Sequence, residues 1–131
     1  MQSIADIFRD EEGKLLPSIK EIKRLSKTTI VRFQGVVDSS TIPVISKNIK
    51  SEMKIYLDRN ILLDFKEATH VDSSTLAYMI SLLNQLKKSE RNLGLINTSS
   101  EMDNYLDMEK VRALVHVFKN EKEALKNLIR A

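Results

Sequence analysis

The chain alternates between two kinds of hydrophobic period, and this alternation constrains its fold more than any other feature. Four short runs are rich in aliphatic, β-branched or aromatic residues: Thr28-Thr29-Ile30-Val31-Arg32-Phe33, Asn60-Ile61-Leu62-Leu63-Asp64-Phe65, Asn92-Leu93-Gly94-Leu95-Ile96-Asn97 and Leu114-Val115-His116-Val117-Phe118. Such runs read as strands, and a continuous apolar run after a helix reads as a buried central strand. Between and after them, apolar residues recur at helical spacing. The first set is Ile42, Ile45, Ile49, Met53 and Leu57; the second is Leu76, Ala77, Met79, Ile80, Leu83 and Leu86. The third is Met102, Tyr105, Leu106 and Met108, and the last is Ala124, Leu125, Leu128 and Ile129. Each set forms one inward stripe on a helix. Leu82 lies off the second stripe, so that helix is expected to be buried on more than one side.

The element boundaries have local chemistry. Ser26-Lys27 can turn a hairpin that joins residues 19–24 to the first run, and Gly35 closes that strand. Ser39-Ser40-Thr41 supplies a helix cap, and Pro43 is tolerated in the first turn because its missing N–H has no intrahelical partner there. Lys66 to Val71 reads as a loop. Ser99 or Ser100 caps the third helix, and Asn120 with Glu123 forms a capping-box pair for the last. Ile4, Ile7 and Phe8 suggest a short helix over residues 1–14, ended by Gly13 and Pro17. The order predicts an α/β protein: a mixed sheet of about five strands, an N-terminal hairpin followed by parallel strands, with about four to five helices. Residues 1–16 are expected to be an N-terminal extension and residues 17–131 a single domain.

Composition narrows the function classes. Hydrophobic content of 42% and charged content of 30% are ordinary for a soluble globular chain. With no cysteine, disulfides and thiolate metal sites are excluded. The longest apolar stretches are about five residues, far short of a membrane span, and no signal peptide is recognisable, so a cytoplasmic protein is expected. The 21 basic residues are interleaved with 18 acidic ones, and aromatics are 5%, so nucleic-acid binding is not expected.

Catalytic constellations are scarce. His70 and His116 are the only histidines and lack a metal-ligand spacing, and Gly94 is isolated rather than part of a phosphate loop. No cofactor or metal is expected. Asp38, Asp64 and Asp72 sit at or just after strand exits, where ligands gather in open α/β sheets. One reading makes Asp64 a phospho-acceptor like that of response-regulator receivers, but the paired acidic motif such a site needs around Mg²⁺ is missing. Asp72-Ser73-Ser74-Thr75 is the strongest local signal: four small polar residues precede the most apolar helix, where a single N-cap suffices.

The succession Gly35-Val36-Val37-Asp38, Ile61-Leu62-Leu63-Asp64-Phe65, Val71-Asp72-Ser73-Ser74 and Leu95-Ile96-Asn97 resembles the STAS domain over residues 18–130. This is the fold of anti-sigma factor antagonists and of the cytoplasmic tails of sulfate-permease-type transporters. The resemblance implies a non-enzymatic protein of transcription regulation, bound by an anti-sigma factor that is also its serine kinase. In that family the serine after the aspartate of Asp-Ser-Ser/Thr-Gly is phosphorylated. Ser73 is the matching residue, with Ser74 and Thr75 as alternates. Asp38, Ser39, Asp72, Ser73, Ser74 and Thr75 then form the expected partner-binding surface. Thr75 stands where the family has glycine; a glycine admits a partner backbone, whereas a β-branched threonine stiffens and fills the position. The same resemblance offers a second role, as a subunit or domain regulating a transporter of the sulfate-permease or ABC lipid type. Homodimer formation is a further candidate.

Overall fold

A computed structural model of the chain describes residues 18–108 and 110–130; the expected N-terminal extension and its helix lie outside the described residues. Strands β1 (Ile19–Leu25) and β2 (Thr28–Val37) form the anticipated antiparallel hairpin, turned at Ser26. Strands β3 (Asn60–Val71), β4 (Leu93–Ile96) and β5 (His116–Phe118) add in parallel, in the order β1-β2-β3-β4-β5. Helices α1 (Ile42–Ile55), α2 (Ser73–Lys87) and α3 (Ser100–Met108) connect the parallel strands, and α4 (Glu121–Asn127) follows β5. Among the described residues, the mixed five-stranded sheet with four helices is therefore as expected.

Every crossover steps one strand in the same direction, so right-handed connections put α1, α2 and α3 on one face of the sheet. The alternation of side chains along each strand shows the division. Val31, Ile61, Leu63 and Leu95 pack into the large core with Met79, Leu82 and Leu106. Their neighbours Ile30, Leu62 and Ile96 pack on the opposite face with Ala124 and Leu128. Burial on both faces is why these strands read as continuous apolar runs. Gly94 faces the second cluster: a Cβ there would lie 3.1 Å from Phe118 and 3.2 Å from both Leu62 and Leu128.

Four boundaries differ from expectation. Residues 66–71 are not a loop, and Gly35 does not close its strand: β2 and β3 both continue to the sheet's end. Arg32 pairs with Asp64, Gln34 with Glu67, Gly35 with Ala68 and Val36 with His70, so β3 supplies extra residues at two bulges. Gly35 takes φ 67° inside this irregular stretch, a conformation that costs glycine little. Leu57 does not join the inner stripe of α1; the helix ends at Ile55, and Leu57 is 70% exposed. The last strand starts at His116 rather than Leu114, which follows a 3₁₀ turn and is exposed.

Candidate functional site

The extension of β2 and β3 positions the site. Val37 pairs with Val71, so Asp38 and Asp72 leave adjacent parallel strands side by side. Each aspartate then organises the helix start that follows it.

Asp72 is the N-cap of α2, in extended conformation, and its Oδ1 accepts the Ser74 N–H at 3.0 Å. The Ser74 hydroxyl donates to the same oxygen. That hydroxyl, with the N–H groups of Ser74, Ser39 and Thr75, holds the Asp72 carboxyl below the usual carboxylate range against the opposing effect of burial. Ser39, in the β2–α1 loop, thus lies beside the Asp72 carboxyl at the start of α2.

Asp38 works within its own loop. Its Oδ1 accepts the Ser40 hydroxyl at 2.6 Å and the Ser40 N–H at 2.9 Å. These bonds, with the Thr41 N–H and the field of His70, lower the pKa of its carboxyl. Thr41 is the N-cap residue of α1, but its side chain makes no capping bond. Instead the Asp38 carbonyl accepts the N–H groups of Thr41 and Ile42 at 3.1 and 2.9 Å, and the Asp38 N–H donates to Thr41 Oγ1 at 2.9 Å.

The three hydroxyl residues after Asp72 have different environments. Ser73 is exposed, and its hydroxyl bonds no other described residue. Ser74 is half-buried and engaged with Asp72. Thr75 is only 2% exposed, and its Oγ1 donates to the Val37 carbonyl at 2.7 Å. Thr75 thus turns into the protein, and the position beside Ser73 is not filled by it as the sequence suggested. Ser39 and Ser40 are exposed in the neighbouring loop. The structure therefore brings Asp38, Ser39, Asp72, Ser73 and Ser74 to one end of the sheet, with Thr75 beneath them.

Asp64 belongs elsewhere. It shares the α4 face with Leu62, is buried, and its Oδ2 accepts Arg32 Nη1 at 2.8 Å. Its Oδ1 accepts Asn97 Nδ2 at 2.9 Å and the Lys66 N–H at 3.0 Å. Burial pushes its pKa up, but the bonds from Asn97, Lys66 and Arg32, with the Arg32 charge, outweigh that and hold it low. Arg32 also reaches Glu121 at 2.6 Å and Glu21 at 3.0 Å. Asp64 is thus the acceptor of a structural ion network joining β1, β2, β3 and α4. Among the described residues no group of three or more metal-ligating side chains is assembled. His70 is exposed on β3, and His116 stacks on Phe118 at 6.3 Å, so the two histidines serve different places. The Arg32 network was missed in the sequence, although an arginine inside an apolar strand is itself the signal, because a buried cation requires partners.

The sequence profile of the STAS domain matches residues 17–124. Among curated proteins, no sequence matches the chain significantly. Solved structures share the fold at low identity. A Thermotoga maritima protein described as a candidate anti-sigma factor antagonist is 15% identical, with a TM-score of 0.78 over 84% of this chain and 94% of that one. The Bacillus anti-sigma factor antagonist SpoIIAA in its unphosphorylated form is 18% identical, with a TM-score of 0.64 over 85% and 97%. The murine anion transporter Slc26a9 is 14% identical with a TM-score of 0.70; the match covers 83% of this chain and 19% of the transporter.

Proposed function

The chain belongs to the STAS domain family, and from that premise we propose that it is a non-enzymatic phospho-switch. In this reading Asp38, Ser39, Asp72, Ser73 and Ser74 form the surface for an anti-sigma factor that is also a serine kinase, Thr75 fastens the helix start beneath it, and phosphorylation of Ser73 releases the partner. The observation that carries the proposal is the state of the three hydroxyls: Ser73 is exposed without a bond to any other described residue, while those of Ser74 and Thr75 are engaged. SpoIIAA, which shares the fold, is described in both unphosphorylated and phosphorylated forms, which supports the same reading.

The physics suits a switch that acts on the partner. A phosphate adds about −1.5 to −2 charges. At the first helical position of the 15-residue α2 it sits at the positive end of the helix dipole. Asp38 and Asp72 already place negative charge there. The modified surface repels an acidic or tightly apposed partner while the domain stays folded.

A second reading, favoured by the likeness to the domain within Slc26a9, has this face regulating a membrane transporter of the sulfate-permease or ABC lipid type. One experiment separates the two. The protein is captured from its native cell and its partners and Ser73-containing peptide are identified by mass spectrometry. An ATP-binding kinase among the partners, with phosphate on Ser73, supports the switch. A transporter subunit with Ser73 unmodified supports the second reading and overturns the first.

A further inference from the structure

We propose that the end of the molecule opposite Ser73 docks on an anionic membrane surface. The inference is independent of what the Ser73 face binds. The topology places the β1–β2 turn, the α1–β3 connection and the α2–β4 connection together at that end.

Basic side chains cluster at these connections. Lys23, Lys27, Lys54, Lys87 and Lys88 are all exposed there, and none forms an ion pair with another described residue. Asp58 and Glu90 are the exposed acidic residues of the three connections. Cations at helix C-termini relieve the helix dipole, which accounts for Lys54 and Lys87. It does not account for Lys23 and Lys27, which lie on the hairpin.

Within this basic surface stand two large aliphatic side chains, Ile55 at 61% and Leu57 at 70% exposure. They flank Tyr56, whose ring carries Arg24 and Arg59 over it, 4.2 and 5.8 Å from its centroid. Arg24 is itself paired with buried Glu52. Arg59 Nη1 donates to the Ser26 carbonyl at 2.6 Å, fastening this segment to the hairpin turn. Arg91 Nη1 donates to the Tyr56 carbonyl at 3.2 Å, fastening it to the α2–β4 connection. Ile55 and Leu57 are therefore presented from a braced platform.

Aliphatic side chains among unpaired lysines match the chemistry of a lipid headgroup layer, which rewards shallow apolar insertion and attracts basic charge. A nucleic acid would draw on the lysines but not on Ile55 and Leu57, and the aromatic ring nearby is already covered by arginines. Docked this way, the Ser73 end points away from the lipid.

The test is cosedimentation of the full chain with phosphatidylcholine vesicles, with and without phosphatidylglycerol. Binding is expected only with phosphatidylglycerol, weakening as salt rises. A Lys27→Glu, Lys54→Glu variant should lose about tenfold or more in partition coefficient. An Ile55→Gln, Leu57→Gln variant, with its circular dichroism unchanged, should lose about tenfold. The proposal is overturned if the wild type ignores anionic vesicles, or if the Gln variant binds them as well as wild type does. It is also overturned if ultracentrifugation shows a dimer that the Gln variant abolishes, or if RNA binds while vesicles do not.

Discussion

The Thr75 hydroxyl donates to the main-chain carbonyl of Val37 at 2.7 Å, joining two residues 38 apart in the sequence. This bond fastens the first turn of α2 to the exit of β2, and so fixes the geometry between the Asp38 loop and Ser73. Thr75→Val preserves the shape of the side chain but withdraws the donor from a buried carbonyl, at a cost of about 1–3 kcal/mol. Thr75→Ser keeps the donor and loses one methyl, at about 1 kcal/mol. Urea denaturation should therefore rank serine above valine at this position; the reverse order would mean that packing, not the hydrogen bond, holds the helix start.

Asp64 predicts an acid-sensitive increment of stability. Its carboxyl is held below the range of an unfolded aspartate, so the native state favours the ionised form. The resulting stabilisation is fully present above about pH 4 and is lost as pH falls through the lower folded value. Asp64→Asn should be less stable than wild type at neutral pH by about 1–3 kcal/mol, because Arg32 keeps Glu21 and Glu121 as partners. Denaturation curves between about pH 6 and about pH 2 should show the two proteins converging in acid.

What was legible in the sequence follows from how local each cause is. Ile61 to Leu63 read correctly as a central strand because burial on both faces leaves a continuous apolar run. The rest of β3 was hidden: Lys66, Glu67, Thr69 and His70 are exposed, and two bulges break the alternation that marks a strand. Leu57 continued the helical period by one position after Tyr56 had turned the chain out of the helix. At the candidate site, Asp72-Ser73-Ser74-Thr75 stood out through its excess of small polar residues. The inward turn of Thr75 did not, because its acceptor is a backbone carbonyl on a distant strand. The same distance hid Arg32, whose partners Asp64 and Glu121 lie 32 and 89 residues away.

Gly94 supplies a packing prediction. Phe118, Leu62 and Leu128 approach within 3.1–3.2 Å of where its Cβ would be. Gly94→Val places three carbons in that space beneath α4 and should cost about 1–3 kcal/mol through overpacking. Since α4 and the following turn lie over this spot, amide exchange should rise first in residues 121–130. Uniformly raised exchange across α1 and α2 would place the strain in the other core instead.

Ser73 and Asp72 should separate signalling from folding. Asp72→Ala removes the N-cap of α2 and the acceptor of the Ser74 N–H and hydroxyl, so it should lose about 0.5–2 kcal/mol. Ser73→Asp instead adds a charge at the first helical position, where the helix dipole favours it and Asp72 opposes it. The two effects are similar in size, so thermal stability should stay within about 0.5 kcal/mol of wild type. Binding to the captured partner should nevertheless weaken in Ser73→Asp and persist in Ser73→Ala. Parallel melting curves and pull-downs of the three variants decide the matter: a Ser73→Asp protein that is several kcal/mol less stable would show that charge here unfolds the helix start rather than gating a partner.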